Sequence, residues 1–114
     1  MTGWIGVDLD GTLAFYNGFV SPSHIGPPIP KMLERVKKWL EEGQEVRIFT
    51  ARVSDPEEAK EAQLAIFKWC FKHLGRVLVV TCSKDYQMLE LWDDRCVQVV
   101  PNTGEVVGHS TRGL

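Results

Sequence analysis

The chain is short of cysteine, of excess charge and of long apolar runs, and each shortage removes a class of function. Its three cysteines, Cys70, Cys82 and Cys96, are odd in number, and none belongs to a C-x-x-C pair. That excludes a disulfide framework and a thiolate metal knuckle, and the three read as buried thiols in a reducing compartment. The 13 Lys and Arg against 15 Asp and Glu leave a net charge of −2, too even a balance for binding nucleic acid or anionic lipid through an overall field. No stretch approaches the roughly 18 apolar residues of a membrane span, and no basic segment leads into an apolar run at the N-terminus. A cytoplasmic protein without a membrane partner is therefore expected. Walker-A and G-x-G-x-x-G glycine loops are missing, as are internal repeats and low-complexity tracts.

What is present suits one domain, residues 1–114, since 44% hydrophobic residues in a chain of 114 can build a core of their own. Trp4 to Leu9 is a short, largely apolar run that reads as a buried strand ending at acids. Seven Gly and Pro residues lie between Gly11 and Pro30, which makes that segment loop. Lys31 to Glu42 has helical spacing, with Pro30 near its first turn and Gly43 suited to end it. Glu45 to Thr50 reads as a second strand. Ser54-x-x-Glu57 has capping-box spacing and opens a second helix that runs to about Leu74 and stops at Gly75. Arg76 to Cys82 is a β-branched run expected of a strand covered on both faces. Leu89 to Trp92 and Cys96 to Val100 read as a fourth and a fifth strand. Pro101 to Gly104 reads as a turn, and the tail from Gly108 as loosely held.

Strands alternating with helices indicate an α/β domain with a mostly parallel sheet, whose ligands gather outside the carboxyl ends of the strands. There the chain deposits Asp8 and Asp10, Thr50, and Asp93 with Asp94. Carboxylates converging in a partly desolvated crevice repel one another, and an oxygen-loving divalent cation, Mg²⁺, relieves that repulsion. Gly11 permits a sharp turn after the first acids, where backbone N–H groups can meet an anion. Lys84, just past the third strand, is placed to offset charge.

This order, Asp8-x-Asp10-Gly11-Thr12, then Thr50, then Lys84, then Asp93-Asp94, resembles the four motifs of the haloacid dehalogenase (HAD) superfamily from Trp4 to about Val100. The resemblance implies a three-layer Rossmann-like domain with a five-stranded sheet of order 5-4-1-2-3. It also implies a phosphohydrolase, because the second acid marks members that act on phosphate esters. Asp8 would be the nucleophile, forming an aspartyl-phosphate, and Asp10 the general acid and base. Thr50 would bind the phosphoryl group, and Lys84 would orient Asp8. Mg²⁺ would be held by Asp8, the Asp10 carbonyl, Asp93 and Asp94. Gly11, Thr12, Ala51 and Arg52 are the candidates for contacting substrate; Thr50-Ala51-Arg52 is similar to motifs of members that act on nucleotides or polynucleotide ends. No segment is long enough for a cap domain, so the site is expected to be open, to admit a small molecule or a nucleic-acid end, or to be closed by a second copy.

Some roles stay open. Arg52 can pair with a phosphate or with a loop carbonyl or carboxylate. Phe15 to Phe19, with His24 behind, can stack on a base or sugar ring or pack over the sheet edge. A receiver-like phosphoacceptor also uses Asp, Thr and Lys on a parallel sheet, but its phosphoacceptor ends the third strand, where this chain has Thr81-Cys82. A non-catalytic module of the same fold is the remaining alternative.

Overall fold

The apolar run at the N-terminus forms strand β1 (Trp4–Asp8), whose first four residues are buried. In this computed structural model, which describes residues 2–108, β1 is followed by helix α1 (Pro30–Glu41), strand β2 (Glu45–Phe49), a 3₁₀ turn (Ala51–Val53), helix α2 (Pro56–Leu74) and strands β3 (Val80–Thr81) and β4 (Met88–Trp92). All strand pairs are parallel, in the order β3-β2-β1-β4. The sheet thus has four strands rather than the five expected. Cys96 to Val100 does not join it. Val100 N–H donates to the Glu105 carbonyl and Val107 N–H to the Gln98 carbonyl, both at 2.8 Å, across the Pro101–Gly104 turn. Closing that short loop costs less chain entropy than crossing to a sheet edge.

Register explains the layering. Ile5 pairs with Val46, Val7 with Ile48 and Val7 with Trp92, so these side chains share one face. Both helices pack there, α1 through Met32 and Val36, α2 through Ile66, Trp69 and Cys70. The steps β1 to β2 and β2 to β3 run in one direction, and right-handed crossovers then put both helices on the same side. The return from β3 to β4 uses only residues 82–87, too few for a helix. Among the described residues the expected third layer is therefore replaced by an extended strap. Asp85 fastens the strap, accepting from Trp4 Nε1–H at 2.9 Å while Trp4 N–H donates to the Gln87 carbonyl at 2.9 Å.

The β-branched run at 76–82 consequently supplies only the two-residue edge strand β3, and the residues before it are covered on one face alone. Leu78 is buried, whereas Val77 and Val79 are half-exposed. The cap of α2 also lies one residue later than expected, because Asp55, not Ser54, accepts from Glu57 N–H at 3.0 Å, with Pro56 starting the helix. Gly75, at φ 76°, ends it as foreseen. Only Cys70 is a buried thiol; Cys82 is exposed just past the end of β3, and Cys96 is exposed in the segment after β4 that does not join the sheet. No helix among the described residues is long and apolar enough to cross a membrane. His109 and the rest of the tail lie outside the described residues.

Candidate active site

β1 and β4 are neighbours that end level with each other, and their parallel ends bring Asp8 beside Asp93 and Asp94. One oxygen from each of the three carboxylates lies within 4.8 Å of the other two. The Asp8 carboxyl is pushed up to about 8, first by burial, then by its contact with Asp94 and the charges of Asp93, Asp94 and Asp10. Such a group is held in a place that asks for positive charge. Thr12 ties the two strand ends together. Its hydroxyl accepts from Asp94 N–H at 3.0 Å and shares one proton between Asp94 Oδ1 at 3.2 Å and Asp8 Oδ2 at 3.4 Å. Asp93 Oδ1 accepts from Arg95 N–H at 2.8 Å.

Gly11 is required twice over. Its φ is +88°, and a Cβ there would lie 2.6 Å from Asp94 Oδ2. Its N–H donates to the Ala14 carbonyl at 2.9 Å, so the turn is closed internally rather than opened toward an anion. Gly11 and Thr12 shape the acid cluster from behind and are not part of the crevice wall.

Asp10, two residues on, turns elsewhere. Its carboxylate accepts from Arg52 Nε–H at 2.7 Å and Nη2–H at 2.9 Å, a bidentate pair. The Arg52 Nη1 group donates to the carbonyls of Ser21 at 3.3 Å and Pro22 at 3.1 Å. Arg52 thereby takes the carboxylate and loop-carbonyl role of its two alternatives, linking the first acid motif to the long loop. The hydroxyl of Thr50, almost fully buried at the end of β2, accepts from Arg52 N–H at 3.1 Å. One O–H donor and one acceptor lone pair remain to it.

These groups wall a crevice of about 440 Å³ lined by Asp8, Asp10, Thr50, Ala51, Arg52 and the Asp93-Asp94-Arg95 run. No protein-family model and no curated protein matches the sequence. A solved structure described as that of a conserved protein coded by a locus from Bacteroides thetaiotaomicron is similar, with a TM-score of 0.56, 22% identity and coverage of 90% of this chain and 84% of its own. That likeness shows the fold.

Lys84 is the expected site residue that the structure does not bring to the others. It is exposed on the strap and absent from the crevice wall, because the chain leaves β3 at Thr81 and turns at once across the sheet's second face. The wall also holds Tyr16, Phe19, Phe49, Asp55, Glu58 and Arg95. Asp55 and Glu58 read from sequence as acids in a helix's opening turn, and nothing in their spacing distinguishes that use from exposure to a site. Arg95 was detectable only through its adjacency to the paired acids.

Proposed function

We propose that this protein is a Mg²⁺-dependent phosphohydrolase of the capless HAD type that cleaves phosphate monoesters through an aspartyl-phosphate on Asp8. The observation that carries the proposal is the convergence of Asp8, Asp93 and Asp94 within 4.8 Å at the carboxyl ends of adjacent parallel strands, on the rim that Thr50 shares. Three carboxylates, one of them raised by burial and by its acidic neighbours, form an all-oxygen donor set that suits Mg²⁺. Asp8, Asp93 and Asp94 would hold the ion, which when bound polarises a phosphoryl oxygen and offsets the acids' charge.

The chain's own groups account for the rest. An Asp8 oxygen bonds to phosphorus while the bond to the leaving oxygen breaks and its electron pair goes to that oxygen. Asp10, held by Arg52 as a carboxylate through both oxygens, takes up a proton from solvent when the substrate draws one of those bonds away, and passes it to the leaving oxygen. In the second step Asp10 accepts a proton from the water that attacks phosphorus, and Asp8 departs as a carboxylate. The Thr50 O–H donates to a phosphoryl oxygen. Arg95, which lines the crevice, would offset phosphate charge in place of Lys84.

The test is phosphate release from an aryl phosphate with and without Mg²⁺. Release should require the metal, vanish in Asp8→Asn, and fall by roughly 10²–10⁴-fold in Asp10→Asn, the usual contribution of a general acid–base group, with Mg²⁺ affinity retained. Absence of turnover across a phosphate-ester panel, with metal binding verified by calorimetry, would sink the reading.

A further inference from the structure

Tyr16 and Phe19 stand on the same crevice wall as Asp8 and Thr50, yet 44% of the one and 59% of the other is exposed. About half of each residue's surface is therefore open to solvent. The loop that bears them is fastened at three places. Phe15 N–H donates to the Pro27 carbonyl at 2.8 Å, Trp69 Nε1–H to the Gly26 carbonyl at 2.9 Å, and Arg52 to the Ser21 and Pro22 carbonyls. The Arg52 guanidinium also lies over the Phe19 ring, 6.0 Å from its centroid. The loop backbone is thus fastened on both sides of the two rings, which turn apolar surface to water beside a set of acids. Aromatic faces on a fastened loop meet a planar ring at a lower cost in ordering than on a free one.

We propose that Tyr16 and Phe19 stack on the base of a nucleoside monophosphate, whose phosphate reaches Asp8; the proposal rests on the phosphohydrolase reading above. Size and charge select the free nucleotide over a polynucleotide end. A crevice of about 440 Å³ lies within the range of small-ligand sites. Its wall carries six acids, Asp8, Asp10, Asp55, Glu58, Asp93 and Asp94, against Arg52 and Arg95, and Arg52 is committed to Asp10 and the loop. A phosphate backbone followed along a strand needs a basic track, and this wall offers the opposite.

The experiment compares kcat/KM, in Mg²⁺, for nucleoside 5′-monophosphates, for ribose 5-phosphate, which has the same ester without the base, and for a 5′-phosphorylated oligonucleotide. The mononucleotides should exceed ribose 5-phosphate by roughly 10- to 100-fold, the usual worth of stacking one base, chiefly through KM. Phe19→Ala should erase most of that advantage and leave ribose 5-phosphate within about twofold of the parent enzyme, as should Tyr16→Ala, while Phe19→Trp, which keeps a ring, should preserve it. Equal rates for nucleotide and ribose 5-phosphate, or equal losses on both in Phe19→Ala, overturn the stacking proposal while the phosphohydrolase stands. Preference for the oligonucleotide overturns the choice of a free nucleotide. Turnover of no ester overturns both readings together.

Discussion

Cutting Arg52 back to an uncharged chain of similar length tests whether the tie between the first acid motif and the loop is real. The Arg52 side chain is 8% exposed and that of Asp10 is 20% exposed, so the pair is mostly shielded yet borders an open crevice. Removing one partner of a fully buried pair costs about 3–5 kcal/mol; water reaching Asp10 from the crevice reduces this to about 2–3 kcal/mol. That is a large share of the roughly 5–15 kcal/mol that stabilises a domain. Arg52→Met also strips the donors from the Ser21 and Pro22 carbonyls, whereas Asp10→Asn leaves them bonded. Arg52→Met should therefore be the costlier single change, by about 1 kcal/mol, the net worth of a typical hydrogen bond. Urea unfolding of both single variants and the double variant isolates the pair, and a coupling of about 1.5–2 kcal/mol is expected. A coupling below about 0.5 kcal/mol, typical of exposed ion pairs, would refute the reasoning.

Two further predictions follow from the acid cluster. Asp8 is raised from 3.8 to about 8, so the folded state holds a proton that the unfolded chain has released across that window. The stabilisation is full below the unfolded value and is lost as pH rises through the folded one. Relative to Asp8→Asn, the metal-free protein should lose about 2 kcal/mol between pH 4 and pH 8, a figure already reduced for the water that reaches this carboxylate. Saturating Mg²⁺ should remove that slope; parallel urea-unfolding curves for the two proteins across pH would contradict the assignment. Gly11→Ala should destabilise by about 1–3 kcal/mol and weaken Mg²⁺ binding, because it strains a left-handed residue and drives a methyl against Asp94. An unchanged melting temperature and metal affinity would show that the turn is not what seats Asp94.

The elements legible in the sequence were those whose pattern has one physical outcome. Trp4 to Asp8 is apolar and short, and α2 runs from an acidic, proline-bearing start to a glycine at positive φ. Arg76 to Cys82 misled because a β-branched run records preference for extended backbone, not whether two faces are covered; Val77 and Val79 are half-exposed. Cys96 to Val100 has strand composition too, but a nearby turn offers it a closer partner than the sheet. In the site, motif order placed Asp8, Thr50, Asp93 and Asp94 on one rim because parallel strands end together. The Asp10–Arg52 pair spans 42 positions of sequence and leaves no local pattern. Lys84 shows the same gap from the other side, since its place depends on which way a six-residue strap departs.

The central claim is that Asp8 attacks phosphorus. Acid quenching of the protein in steady turnover with Mg²⁺ and an aryl phosphate, followed by peptide mass spectrometry, reads it directly. A phosphoryl group labile to hydroxylamine should appear on the peptide holding Asp8 and be missing from Asp8→Asn, which should also be inactive. Turnover that proceeds in Asp8→Asn, or that leaves no adduct on Asp8 even when Asp10→Asn slows the second step, would contradict the account.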